Sequence, residues 1–220
     1  MSKTSDNRNY FYNNNSSTNR SEFRVIENIV GKNRKVVDLG CGDGSLTQIL
    51  IKNENICQGV EITQSGVEVC RKKGLRVIKG RIDGKLPFDD KSFDFAVCNV
   101  TLHMVMYPEL LLQEMKRISK KQIITFPNFA FVLNRIQLIL FGVFPKWSLF
   151  GYDWYSTGHI HQLSIKDFEN YCKVNRITVI GRYHLFPRIG WNSLWKSSII
   201  DMIANRFSNL FATMAVFVTK

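Results

Sequence analysis

The run Val36-Val37-Asp38-Leu39-Gly40-Cys41-Gly42-Asp43-Gly44-Ser45-Leu46 carries the strongest chemical signal in the chain. An apolar stretch leads into three glycines spaced two apart, and a helix-like pattern follows. Glycines at such a turn permit positive φ and close approach of a ligand to the backbone. A dinucleotide loop spaces its glycines GxGxxG and seats a diphosphate on the helix N-terminus. Here the spacing is GxGxG, with carboxylates at Asp38 and Asp43. Two carboxylates repel a diphosphate and attract a cation. At ~4 Å an opposite pair gains on the order of 4 kcal/mol at an effective dielectric near ~20. Glu61 stands 17 residues after Gly44, where a second strand should end. An acidic side chain there accepts hydrogen bonds from ribose hydroxyls. S-adenosylmethionine meets these demands: a ribose, an ammonium, a sulfonium and no phosphate. The plain alternative is a tight turn with no ligand.

Candidate reacting groups come later in the chain. Cys98-Asn99-Val100-Thr101-Leu102-His103 follows a further apolar stretch. Asn99 and Thr101 can bond a cofactor or an acceptor, and His103 can act as a base or pack beneath the loop. His159 and His161 alternate along an extended segment. They can line an acceptor pocket or serve as structural hydrogen-bonding groups, and without a third ligand no metal site is expected. No Asn-Pro-Pro-aromatic motif follows the fourth strand, so nothing favours methylation of a nucleobase amino group.

These residues need a scaffold, and the pattern supplies one. Strands are expected at 35–39, 56–62, 75–79, 92–100, 121–126, 177–183 and 213–219. Helices are expected at 21–30, 45–52, 66–73, 108–118, 128–141 and 165–174, with a helical patch at 194–210. Alternating strands and helices imply a parallel sheet covered on both faces, an α/β doubly wound architecture. Residues 1–20, rich in Asn and Ser, read as a disordered tail. Residues 21–220 read as one domain, with 127–163 as an insertion or lid. Ten aromatics lie between Phe126 and Tyr155. They read as a helix covering the sheet, a lid, a partner-docking surface or a membrane-surface patch.

Composition narrows the function classes. The chain has 220 residues, 45% of them hydrophobic, and a formal charge of +12, which excludes a mainly disordered chain. Residues 1–35 hold seven basic and three acidic side chains, 36–100 hold nine of each, and 101–220 hold fourteen and six. The segment with the chemical signal is neutral, and the surplus lies in the tail and the second half. No nucleic-acid module accompanies that surplus, so no nucleic-acid partner is expected, although an RNA methyltransferase stays an alternative. The five cysteines include no CxxC pair and read as buried free thiols of a reducing cytoplasm. No apolar leader and no spanning segment are expected; 126–144 is broken by Asn134, Arg135 and Gln137.

The stretch from Asp38 to Gly44 with Glu61 resembles the cofactor motif of class I S-adenosylmethionine-dependent methyltransferases. Phe126-Pro127-Asn128-Phe129, Arg135-Ile136-Gln137-Leu138, Trp154-Tyr155-Ser156-Thr157, His159-Ile160-His161, Asp167-Phe168-Glu169 and Asn209-Leu210-Phe211-Ala212 occur in the order of the methionine-biosynthesis protein W family (MetW). The resemblance spans residues 35–220. It implies a mostly parallel seven-stranded sheet whose last strand is antiparallel. It also implies a role in methionine biosynthesis beside a homoserine O-acyltransferase, either as a methyltransferase or as a non-catalytic S-adenosylmethionine sensor. A homo-oligomer is compatible with it. The expected cofactor-binding residues are Asp38, Gly40, Cys41, Gly42, Gly44, Glu61, Ile62, Asp83 and Asn99, for S-adenosylmethionine or S-adenosylhomocysteine; His103 and His161 are the catalytic candidates. One departure stands out. The third strand of many such enzymes ends in Gly-Asp, and that Asp receives the adenine amino group. Here Arg81 takes that place in Lys79-Gly80-Arg81-Ile82-Asp83. Either Asp83 substitutes after a bend of the loop, or backbone groups hold the adenine. Glu61→Ala is expected to lose cofactor affinity without unfolding.

Overall fold

The computed structural model describes residues 20–146, 154–155, 158–187 and 205–220. Seven strands form one sheet: β1 (Lys35–Leu39), β2 (Ile56–Glu61), β3 (Val77–Lys79), β4 (Phe93–Asn99), β5 (Ser119–Pro127), β6 (Val179–Leu185) and β7 (Met214–Thr219), in the order β3-β2-β1-β4-β5-β7-β6. All neighbouring pairs up to β5 are parallel, and β7 runs antiparallel between β5 and β6. Helices α1 (Ser21–Val30), α2 (Ser45–Lys52), α3 (Gln64–Lys72), α4 (Pro108–Ile118), α5 (Val132–Phe141), α6 (Ile165–Val174) and a short α7 (Ser208–Phe211) accompany it. This is the α/β, doubly wound, mostly parallel sheet of the class I methyltransferases, as the alternation and the resemblance imply.

The two-residue period of the strands builds two cores. Val36, Phe95, Val97, Ile123 and Val216 face one layer, where Phe23, Ile26 and Val30 of α1 and Leu46 and Leu50 of α2 cover them. Val37, Leu39, Ala96, Cys98, Ile124, Phe126 and Phe217 face the other, under Leu111, Met115 and Ile118 of α4 and Ile165, Phe168 and Cys172 of α6. The α4 residues recur every three or four positions, one stripe of an amphipathic helix.

The strand order reverses between β1 and β4, with β2 on one side and β5 on the other. Such a switch point opens a crevice at the carboxyl ends of the strands. Register aligns those ends: Asp38 pairs with Gly59 and Val97, and Asn99 with Thr125. The glycine loop, Glu61 and Asn99 therefore share one edge.

Several expected boundaries shift. The helix expected at 128–141 begins at Val132. Asn128 is instead fully buried, and its amide donates to the Asn209 and Ala212 carbonyls, which fastens the end of β5 to the chain entering β7. The third strand shortens to Val77–Lys79, because Leu75 closes the turn after α3 through its amide on the Cys70 carbonyl. Ile62 lies just past β2, and Thr63 caps α3 by accepting from the Gly66 amide. The tail at 1–19, most of the expected helical patch at 194–210 and most of the 147–157 loop lie outside the described residues. All five cysteines are free and buried.

Candidate cofactor site

Gly40, Gly42 and Gly44 adopt φ of 77°, 56° and 75°, the left-handed region that a side chain disfavours. The amides of Gly40 and Cys41 donate to the Val60 carbonyl at 2.8 and 3.1 Å, which stitches the loop to β2. A Cβ at Gly40 would stand 2.7 Å from Thr101 Cγ2, so this glycine also lets the segment after β4 close onto the loop. Cys41 turns away from the crevice: its sulfur lies 4.0 Å from Cys70 Sγ. That contact, then burial and nearby carboxylates, push its thiol well above the usual range, so it packs as an inert thiol.

The two buried carboxylates differ in their support. Asp38 is 1% exposed and accepts from Thr47 Oγ1 at 2.7 Å. Burial, opposed by that hydrogen bond and helped by the charges of Glu61 and Asp43, pushes its carboxyl up to about 6. Glu61 is 3% exposed. Its Oε2 accepts from the Gly42 amide at 2.9 Å, and its Oε1 accepts from the Thr63 amide and hydroxyl at 2.8 and 2.7 Å. A carboxylate offers about four acceptor positions, so these three donors leave room for a further one. Asp43 does not join the pair. It accepts from the Ser45 amide and hydroxyl, and Lys73 lies 3.6 Å from its Oδ2, so its charge is spent at the helix start.

Past β3, Asp83 is held by Arg81 through Nε at 3.0 Å and Nη2 at 2.8 Å, with the Tyr107 amide at 3.3 Å. Burial alone would raise its carboxyl; the Arg81 hydrogen bonds and charge and the Tyr107 amide hold it lower. The residue in the usual acidic position thus neutralises the acid two places on. Ile62 is half-buried at the same edge. Asn99 Oδ1 accepts from Thr125 Oγ1 at 2.6 Å.

The segment after β4 stores strain. Val100 sits at φ 53°, an outlier for a β-branched residue. Its amide donates to Thr125 Oγ1 at 2.7 Å, and Thr101 Oγ1 bonds the Asn99 carbonyl. Such strain costs on the order of 1–3 kcal/mol and clusters at functional sites. Three residues on, His103 is 1% exposed, and neither ring nitrogen has a hydrogen-bond partner among the described residues. Its carbonyl accepts from the Ile160 and His161 amides at 2.9 and 3.0 Å. The His159 ring meets it edge-on, with centroids 4.1 Å apart. His161 Nε2 lies 3.4 Å from the Met106 carbonyl. The three histidines thus gather where the segment after β4 meets residues 158–161.

Burial, then His159 and His161, pull the His103 imidazole well below its ordinary value. A base whose folded pKa is depressed stabilises the fold above the unfolded value and loses that stability as pH falls. Nitrogen NMR should show His103 neutral from pH 8 down through about 6.5, the ordinary histidine value. His103→Phe should remove part of the acid-side loss of stability. A protonated His103 at pH 6 would contradict both expectations.

Among the described residues no group of three His, Cys, Asp or Glu side chains is arranged to hold a metal, and no helix is long and apolar enough to cross a membrane. Sequence reasoning missed Thr47, Thr63 and Gly66, and it named Thr101 without its contact on the glycine loop. A Cβ at Gly66 would lie 2.8 Å from both the Gly42 carbonyl and Glu61 Cγ. A glycine inside an otherwise helical pattern was the available signal.

The profile of the family described as "Methionine biosynthesis protein MetW" matches residues 20–218. The chain belongs to the MetW family. A bifunctional methionine biosynthesis protein MetXA/MetW of Rhodopirellula baltica is 33% identical over 150 residues, covering 63% of this chain and 24% of that protein. The chain spans between about a quarter and a half of the lengths of the first curated relatives it matches. Among solved structures, an S-adenosylmethionine-dependent methyltransferase of Thermotoga maritima, described as a possible histamine N-methyltransferase, aligns with a TM-score of 0.62 at 20% identity, over 91% of this chain and 87% of that one. The geranyl diphosphate C-methyltransferase of Streptomyces coelicolor, solved with S-adenosyl-L-homocysteine, aligns at 0.59 and 15% identity, over 90% and 78%. At these identities the structures speak for the fold, and the family match carries the kinship.

Proposed function

We propose that this MetW chain binds S-adenosylmethionine at the β1–α2 loop and transfers its methyl group to a small acceptor, working beside a homoserine O-acyltransferase. The observation that carries the reading is Asp38, a buried carboxylate whose cost of desolvation is met by no cationic partner among the described residues. A bound ammonium would supply that partner. The residues present fit the cofactor: the three glycines leave the loop open to close approach, Asp38 would offer a negative charge to its cationic end, and Glu61 keeps room to accept a ribose hydroxyl. Ile62 offers apolar contact for the adenine. With Asp83 already bound by Arg81, backbone groups at 81–83 are the better candidates for the adenine edge.

When bound, the cofactor supplies an activated methyl carbon. The chain's part is positioning and exclusion of water. Asn99 at the end of β4, with Thr101 and His103 after it, would line the acceptor side, and residues 158–161 are tied to that segment through the His103 carbonyl. His103, whose ring nitrogens have no partner among the described residues, would take a proton from an acceptor that loses one as it is methylated. His161 is the weaker candidate, since its ring leans on the Met106 carbonyl.

The fused Rhodopirellula relative supports the acyltransferase pairing, since it joins a MetXA part and a MetW part in one chain. It also favours a second reading, a sensor that reports S-adenosylmethionine to that enzyme. Calorimetric titration should give binding of S-adenosylmethionine and S-adenosylhomocysteine and none of NAD. Binding of NAD alone would refute the cofactor assignment. Release of S-adenosylhomocysteine together with a methylated product supports the enzyme; tight binding without turnover, with an altered acyltransferase rate, supports the sensor.

A further inference from the structure

Helix α5 is held through its first turn, and the chain after it returns through the Phe144 ring, 5.6 Å from that of Phe129, and the Lys146 amide, which donates to Gln137 Oε1. Phe131 is buried just before it, Asn134 is 1% exposed with its amide on the Phe129 carbonyl, and Arg135 Nε donates to the Ala130 carbonyl at 2.6 Å. Between these anchors the last turn of the helix stands exposed. Leu138, Ile139, Leu140 and Phe141 are 52%, 79%, 68% and 70% exposed, and Val143 follows at 48%. Four consecutive residues at about 100° per residue point in every direction around the axis. The feature is therefore an apolar plug rather than a one-sided face.

We infer that the C-terminal half of α5 docks into an apolar groove of the homoserine O-acyltransferase. The inference rests on the pairing proposed above and assigns the surface that makes it. Charge, area and kinship select this occupant. A lipid surface favours a helix with a cationic polar face, whereas Leu138 to Phe144 holds no charged residue and Arg135 is tied to backbone. A second copy laid side by side would bury one strip of two helical turns, well below the roughly 800 Å² per partner of a stable interface. A hydrophobic groove takes a short helix by anchors three or four positions apart, a spacing that Leu138 and Phe141 provide. The fused relative carries a MetXA part beside its MetW part, so one such partner is at hand whenever the MetW part is made.

The test mixes the full chain with the purified acyltransferase and reads complex formation by light scattering behind size exclusion, with S-adenosylmethionine affinity measured in parallel. Ile139→Glu and Phe141→Glu place charge on the plug. Ile56→Glu, at an exposed residue on the opposite, N-terminal edge of the strands, is the control. The expected result is a wild-type complex, at least a 100-fold loss of affinity in both plug variants, none in the control, and cofactor affinity within twofold throughout. A wild-type complex that both plug variants retain would overturn the surface and leave the pairing intact. No wild-type complex would overturn the pairing, and the surface with it. Self-association or binding to anionic vesicles that Phe141→Glu abolishes would then name a second copy or lipid as the occupant. Strong protection of α5 from hydrogen exchange in the isolated monomer would show that the chain covers it itself.

Discussion

Asp38→Asn is expected to make the unliganded protein more stable while it loses its cofactor. Burial lifts this carboxyl from 3.8 to about 6, about two units, and each unit corresponds to ~1.4 kcal/mol, so ionised Asp38 costs the fold ~3 kcal/mol at neutral pH. The folded value lies above the unfolded one. Its contribution is therefore fully present below about pH 4 and is lost as pH rises through about 6. An asparagine avoids that cost and still accepts from Thr47 Oγ1, since the hydroxyl needs only a carbonyl oxygen. Urea titrations at pH 8 should find the variant more stable by up to ~3 kcal/mol, and the gap should close near pH 4. The acid-side loss due to His103 is common to both proteins and cancels in the difference. Cofactor affinity should fall by about 100-fold or more, because the ammonium loses a buried counter-charge. A variant less stable than wild type at pH 8 would mean that Asp38 is a structural anchor, and the argument for a cationic ligand would lose its main support.

The residues that were legible in advance share a cause, and so do those that were not. Val36, Val37 and Leu39 announce a strand buried on both faces, and Leu111, Met115 and Ile118 announce a helix stripe, because burial periodicity is written in residue type. The glycine loop and Glu61 were legible because a positive φ and a strand-end carboxylate leave few alternatives. The partners of the carboxylates were hidden. Thr47 and Thr63 are polar residues in ordinary positions near the starts of α2 and α3, and only the turns after β1 and β2 aim them at Asp38 and Glu61. Asp43 and Asp38 look alike in the sequence, yet Lys73, thirty residues from Asp43, separates their roles. The Arg81–Asp83 pair was hidden for the same reason: the sequence offers both residues, and the loop decides that they meet. Domain-scale expectations for 1–20 and for the helical patch at 194–210 rest on composition, which does not place side chains.

Glu61→Gln should be nearly as damaging as Glu61→Ala, and for a reason other than charge. Everything that faces this carboxylate is a donor: the Gly42 amide on one oxygen, and the Thr63 amide and hydroxyl on the other. An amide side chain can satisfy one side only; its NH₂ then confronts a backbone N–H that cannot turn away. A buried donor left unmatched costs about 1–3 kcal/mol, so both variants should lose stability as well as cofactor, which amends the expectation that Glu61→Ala leaves the fold untouched. Gly66→Ala tests the same latch from behind. In an exposed helix this change gains about 1 kcal/mol. Here the new Cβ would press on the Gly42 carbonyl and on Glu61 Cγ, each at 2.8 Å. Relief requires the glycine loop or Glu61 to shift, so the sign reverses: stability should fall by about 1–3 kcal/mol. S-adenosylmethionine affinity should drop by at least tenfold in a variant that alters no group touching the ligand. Measured side by side, Glu61→Gln and Gly66→Ala should give affinity losses that fall well short of adding in the double variant, since residues acting on one latch are coupled. Additive losses would show that Gly66 and Glu61 act separately, and that Glu61 serves the ribose rather than the loop.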